Sequence, residues 1–113
     1  MNKDISEKEA LKRMLLRILS RINSAISSDN ILTIDDVFED KNFKIFLDLV
    51  YDGMERKKSM SNVIIRTRVA LRPLEKMEEK EAVKVLNLMI NGIENVNRTL
   101  AERRIQQKLK RNQ

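Results

Sequence analysis

The sequence predicts an all-α protein: a small helical bundle of four to five helices that includes a long C-terminal helix. Two glycines and one proline in 113 residues are too few for a turn-rich β protein. Charged residues make up 35% of the chain, and many of them are glutamate, lysine and arginine, which favour helices. Hydrophobic residues make up 42%, which is enough to form one core in a single domain of this length.

Short polar residues predict where the first four helices begin. The segment Ser6–Glu9 matches a capping box, in which serine and glutamate side chains satisfy free backbone N–H groups. Apolar residues then recur at helical spacing as far as 27–30, whose polar side chains compete for backbone hydrogen bonds. The second helix is expected to begin at a capping box formed by Thr33 and Asp36 and to end at Asp40. The third is expected to begin at a cap at Asn42 and to end at Gly53, and the fourth to begin at a cap within Ser59–Asn62 and to end at Pro73.

The few aromatic residues are expected to lie in the core. They are Phe38, Phe43, Phe46 and Tyr51, and aromatic side chains at helical spacing usually pack together. Proteins that bind RNA or single strands stack bases on exposed aromatic rings. The sequence therefore argues against such a surface.

A helix from Leu74 to Leu109 is the longest single element that the sequence predicts. Its apolar arc is wider than one neighbouring helix covers, because Val83, Val85 and Leu88 flank the central stripe. The helix should therefore lie at the centre of the bundle, or serve both the core and a dimer contact, and we expect a homo-oligomer. The central stripe consists of Ala82, Leu86, Met89, Ile90, Ile93, Val96 and Leu100.

The apolar register of this helix breaks after Leu100. Arg104 stands where the next apolar residue of the stripe would be, and the remaining sequence keeps strong helix formers while gaining basic residues. We therefore expect residues 1–100 to form a single helical domain and residues 101–113 to form a basic helical C-terminal extension.

Composition argues against most site chemistries. The chain has no cysteine for a disulfide or thiolate site, and no histidine to act as a general base or metal ligand. The carboxylates at 35–40 suit the N-terminus of a helix better than a metal ion. We expect no metal, no cofactor and no enzymatic activity. Without an apolar run of roughly 20 residues or a signal-peptide pattern, the chain is expected to be cytoplasmic and not to enter a membrane.

Charge is distributed along the chain in blocks. Residues 29–55 contain eight acidic and two basic side chains, whereas residues 56–74 contain six basic and no acidic ones. Residues 98–113 carry a net charge of +5, and the whole chain carries +6. Because a solvated helix normally mixes both signs, the carboxylate-free segment 56–74 indicates a phosphate-binding surface.

The sequence thus predicts a small basic nucleic-acid-binding protein, for duplex DNA rather than RNA, that acts through phosphate contacts. The planar fork of arginine suits phosphate oxygens. If 61–77 acts as a helix-turn-helix recognition element, Asn62 and Arg66 would reach base edges, although the glycine turn of that motif is missing. The candidate nucleic-acid-binding residues are Arg56, Lys57, Lys58, Asn62, Arg66, Arg68, Arg72, Arg103, Arg104, Lys108, Lys110 and Arg111.

An alternative interpretation is that the acidic and basic blocks neutralise each other across the fold. The charges would then match a protein partner or a neighbouring copy of the chain. In that case the protein would be a non-enzymatic interaction or assembly subunit, including one of a nucleoprotein complex.

Overall fold

The computed structural model describes residues 5–51 and 57–111, and these ranges contain five α-helices and no strand. The all-α class and the long C-terminal helix are therefore confirmed. The helices are α1 (Glu7–Ser24), α2 (Ile34–Phe38), α3 (Lys41–Val50), α4 (Met60–Leu71) and α5 (Glu79–Arg111). A π-helical turn (Ala25–Asp29) follows α1, and a 3-10 turn (Arg72–Lys76) follows α4.

Three of the predicted helix caps are confirmed. The Ser6 hydroxyl accepts a hydrogen bond from the backbone N–H of Glu9, and the Ser59 hydroxyl caps α4 in the same way. Thr33 and Asp36 form a full capping box, in which each side chain accepts from the backbone N–H of the other residue. These bonds span only three residues, so they follow from the local sequence.

The predicted cap at Asn42 is wrong. The N-cap of α3 is Asp40, whose carboxylate oxygen accepts a hydrogen bond from the backbone N–H of Phe43 at 2.9 Å. An aspartate before the helix satisfies the same free donor and also favours the positive end of the helix dipole. The predicted end at Gly53 lies outside the described residues, and α3 itself ends at Val50.

The long helix begins later than predicted, at Glu79 rather than Leu74. Pro73 has no N–H to donate to the preceding turn, so α4 ends at Leu71 and the chain tightens into the 3-10 turn. Leu74 remains buried in this turn. Met77 then adopts an extended conformation that separates the turn from α5.

Helix α5 lies at the centre of the bundle, where it makes its most extensive contacts with α1 and α3. Each residue of the predicted stripe from Ala82 to Leu100 is at most 4% exposed. The wide apolar arc is therefore explained by two neighbouring helices on different sides of α5. Leu88 is the exception, because it lies in an open cleft between α3 and α5 and is 58% exposed.

The helices α3 and α5 are in close contact at Gly92. A Cβ atom built on this glycine would lie 2.6 Å from the Cβ atom of Phe46, well inside van der Waals contact. Phe46 packs against Phe43 with ring centroids 5.4 Å apart, and Phe43 packs against Phe38 at 5.7 Å. The predicted aromatic core is confirmed, and all four aromatic residues are buried. Within the described ranges, no helix is both long enough and apolar enough to cross a membrane.

Candidate nucleic-acid interface

Two of the predicted arginines lie together in a cleft between α1 and α4. Arg68 and Arg72 are one helical turn apart and both are exposed. Lys12, from α1, lies opposite them. This surface, which we call the basic cleft, has a volume of about 180 Å³ and is lined by Lys12, Leu16, Arg68, Leu71, Arg72 and Glu75. Three cations and one carboxylate therefore share one concave site.

The single carboxylate of the basic cleft is engaged by the lysine. The Nζ atom of Lys12 donates a hydrogen bond to Glu75 Oε1 at 2.5 Å and lies 3.9 Å from Glu9. The hydrogen bond raises the pKa of Lys12 and lowers that of Glu75. Neither Arg68 nor Arg72 forms an ion pair with any described residue. The two guanidinium groups are therefore available to an external anion.

Arg66 and Asn62 lie on a different side of α4 from the basic cleft. Residues two apart on a helix differ in direction by about 200°, so Arg66 cannot share the face of Arg68. Arg66 lines a cleft against α3, beside Asp48. The side-chain amide of Asn62 is half-buried and donates a hydrogen bond to the Tyr51 hydroxyl at 2.8 Å. The structure therefore does not bring these two residues together with Arg68 and Arg72.

Of the basic residues that precede α4, Lys58 forms an ion pair and Lys57 is exposed to solvent. The Nζ atom of Lys58 lies 2.9 Å from Asp35 Oδ1 on α2, and this hydrogen bond raises the pKa of Lys58. Lys57 is exposed. Arg56 lies outside the described residues.

The side chains of the first basic residues beyond Leu100 contact the acidic segment. Arg103 donates hydrogen bonds to Asp36 Oδ2 at 2.7 Å and to the backbone carbonyl of Ile31 at 3.1 Å. Arg104 lies 3.2 Å from Asp29. We call these three contacts the tail clasp. The hydrogen bond from Arg103 lowers the pKa of Asp36, as does the capping bond from Thr33.

The tail clasp is what the charge-neutralisation alternative expects. Asp29, Asp35 and Asp36 from the acidic block all pair with lysine or arginine from the two basic blocks. Among the candidate residues, Lys58, Arg103 and Arg104 therefore already have acidic partners within the chain.

The end of α5 carries a second group of cations. Arg104, Lys108 and Arg111 line a shallow cleft of about 390 Å³ opposite Ser28 and Asp29. Lys110 is exposed on the same helix. Because Asp29 is paired with Arg104, the charges of Lys108 and Arg111 dominate this cleft.

Lys12 is the functional candidate that the sequence did not reveal. Its helix carries basic residues at regular spacing, and nothing in the local pattern separates Lys12 from Arg13 or Arg17. Only the packing of α1 against α4 places it opposite Arg68. No local signal identifies such a contact, because the two helices are far apart along the chain.

The described residues contain no group of three or more acidic side chains arranged to hold a metal ion. Comparison with protein-family models, with curated proteins and with solved structures finds no significant match.

Proposed function

We propose that this protein binds duplex nucleic acid, with DNA preferred over RNA, through phosphate contacts at the basic cleft. The observation that carries the proposal is the pair of exposed guanidinium groups of Arg68 and Arg72, which face Lys12 and have no acidic partner among the described residues. Guanidinium groups bind phosphate oxygens through two parallel hydrogen bonds. A concave arrangement of such groups suits the backbone of a nucleic acid.

The preference for a duplex rests on the aromatic residues. Phe38, Phe43, Phe46 and Tyr51 are buried, so they do not provide a surface on which unpaired bases stack. Contacts would therefore be made to the phosphate backbone and would depend strongly on salt. Lys57, Arg66 and the cations at the end of α5 would add to the attractive field, whereas the residues of the tail clasp would contribute less.

Fluorescence anisotropy with a labelled DNA duplex, measured over a range of salt concentrations, tests this function. The double variant Arg68→Gln/Arg72→Gln should bind more weakly and should lower the slope of log affinity against log salt by about 2, roughly one per lost phosphate contact. A matched control is Arg21→Gln/Lys80→Gln, which removes the same charge from exposed positions outside the cleft. Equal losses in both variants, or no binding of the wild-type protein at low salt, would contradict the proposal.

A second candidate function is assembly with a protein partner, including a homo-oligomer, without enzymatic activity. The observation that favours it is a group of exposed apolar residues on α3, α4 and α5. This role is compatible with nucleic-acid binding, because these residues lie outside the basic cleft. We propose a cytoplasmic location for both roles.

A further inference from the structure

The basic cleft contains an anion of its own, the carboxylate of Glu75. This residue lies in the 3-10 turn that follows α4, and it lines the cleft together with Arg68 and Arg72. Its Oε1 atom accepts the hydrogen bond from Lys12 Nζ, which lowers the pKa of Glu75 and keeps the carboxylate ionised at neutral pH. A carboxylate that is bound to an ammonium group among cations occupies the kind of position that a phosphate oxygen takes.

The 3-10 turn fixes the backbone of Glu75 but not its side chain. The adjacent Leu74 is buried, and its carbonyl accepts a hydrogen bond from the backbone N–H of Met77 at 3.2 Å. The side chain of Glu75 is 54% exposed, and Lys12 is its only ion-pair partner among the described residues. The carboxylate can therefore turn into solvent while the backbone stays in place.

We infer that Glu75 limits the affinity of the basic cleft for nucleic acid by competing with a phosphate group for Lys12. The inference rests on the proposed function, because it names the residue that opposes phosphate binding at the same site. When a phosphate enters the cleft, Lys12 exchanges its hydrogen bond to Glu75 for one to a phosphate oxygen. Lys12 then becomes the third cation, beside Arg68 and Arg72, that contacts the phosphate backbone.

The exchange at Lys12 costs little, because its pair with Glu75 is exposed and the solvent screens both charges. A phosphate group in the cleft contacts Arg68 and Arg72 as well as Lys12, whereas Glu75 pairs with Lys12 alone. The phosphate therefore replaces the carboxylate, but every complex that forms loses the bond between Lys12 and Glu75. For this reason the wild-type affinity is lower than three unpaired cations would give.

Fluorescence anisotropy of Glu75→Gln with a labelled DNA duplex tests the inference. The variant should bind about twofold to fivefold more tightly than the wild type, which corresponds to the loss of one exposed ion pair. Its slope of log affinity against log salt should also be steeper by about 1, because Lys12 then neutralises a phosphate without giving up an internal partner. Circular dichroism should show unchanged helicity.

Glu81→Gln is the matched control for Glu75→Gln. It removes the same charge from an exposed position in the first turn of α5 that does not line the basic cleft. Both variants raise the net charge of the protein equally, so a general electrostatic effect would strengthen binding by the same factor in each. If Glu75→Gln binds the duplex no more tightly than Glu81→Gln, the inference is wrong.

A double-mutant cycle separates competition for Lys12 from simple repulsion of the phosphate by Glu75. Lys12→Gln should weaken duplex binding more in the Glu75→Gln protein than in the wild type, because only there is Lys12 without its internal partner before binding. Repulsion alone would make the two substitutions additive. If Lys12→Gln weakens binding by the same factor in both proteins, Glu75 does not compete for Lys12.

The inference and the proposed function fail in different ways. If neither the wild type nor Glu75→Gln binds a duplex at low salt, the proposed function is wrong and the inference fails with it. If Arg68→Gln/Arg72→Gln weakens binding as proposed while Glu75→Gln behaves like Glu81→Gln, the function stands and only the role of Glu75 is wrong.

Discussion

Gly92 shows how a single residue controls the packing of this bundle. It lies within α5, where glycine is less favourable than alanine by about 1 kcal/mol. A Cβ at this position would also approach the backbone carbonyl of Asn42 to 3.1 Å, in addition to the contact with Phe46. The Asn42 oxygen belongs to the backbone and the Phe46 atom is the Cβ of a buried side chain, so neither atom moves easily. The glycine is therefore needed for the close approach of α3.

We expect Gly92→Ala to destabilise the protein by about 1–3 kcal/mol, the usual cost of overpacking a core. The gain in helix propensity offsets only part of this loss. Urea denaturation monitored by circular dichroism gives the free energy of unfolding. Asn87→Ala is the control, because it improves helix propensity at an exposed position of the same helix. A Gly92→Ala protein as stable as this control would mean that α3 and α5 separate without cost.

Asp36 couples the tail clasp to pH. Its pKa in the folded protein is lowered, mainly by the hydrogen bond from Arg103, so folding favours the ionised carboxylate. The resulting stabilisation is fully present above the pKa of the unfolded chain and is lost as the pH falls through the folded-state pKa.

At pH 7 we expect Asp36→Asn to be less stable than the wild type by up to about 1 kcal/mol, because the ion pair is largely exposed. The difference should begin to shrink as the pH falls below about 4, near the pKa of an unfolded aspartate, and should disappear only below the lowered pKa of the folded protein. Chemical denaturation at several pH values measures it. Asp35→Asn, on the same short helix, serves as a comparison because its ion pair with Lys58 is more exposed. If Asp36→Asn remained less stable than the wild type at low pH, the charge of Asp36 would not be the cause of the difference.

Helix α5 has two parts that differ in their contacts. It has 33 residues, which gives a length of about 50 Å. Its last buried residue is Leu100, and the remainder projects beyond the core. The radius of gyration of 15.3 Å exceeds the roughly 13 Å of a compact domain of this size for the same reason. The tail clasp nevertheless holds the first turn of the projecting part against the rest of the fold.

The boundary predicted at Leu100 is testable by truncation. A chain ending after Arg104 should retain the stability of the full chain, because it keeps the tail clasp. A chain ending after Leu100 should lose roughly 0.5–2 kcal/mol, the value of two exposed ion pairs. Thermal denaturation of both chains at low and high salt measures the difference, which should shrink at high salt. If the two chains were equally stable, the tail clasp would not stabilise the fold.

The local sequence predicts the helices better than it predicts their limits. Ser6, Thr33 and Ser59 were identified because a cap acts within three residues of the chain. The predicted cap at Asn42 was wrong, because aspartate favours the N-cap position as strongly as asparagine and Asp40 occupies it. The start of α5 was also wrong, because the turn after Pro73 is held in place by burial of Leu74.

At the scale of the whole molecule, folding pairs some charged side chains with each other and leaves others exposed to solvent. The tail clasp and the pair of Lys58 with Asp35 engage Asp29, Asp35 and Asp36 of the acidic block. Arg68 and Arg72 remain exposed in the basic cleft, and the exposed apolar residues of α3 lie outside that cleft.

The sequence by itself determined the all-α class, most helix starts and the buried stripe of α5, because caps and helical periodicity depend on residues a few positions apart. Only the tertiary structure decided which charges pair within the chain and which lie together in an exposed cleft. The meeting of Lys12 with Arg68 and Arg72, the pairing of Asp36 with Arg103 and the contact of Gly92 with Phe46 all join distant parts of the chain. Such contacts depend on how the helices cross, and that is set by the packing of the whole core.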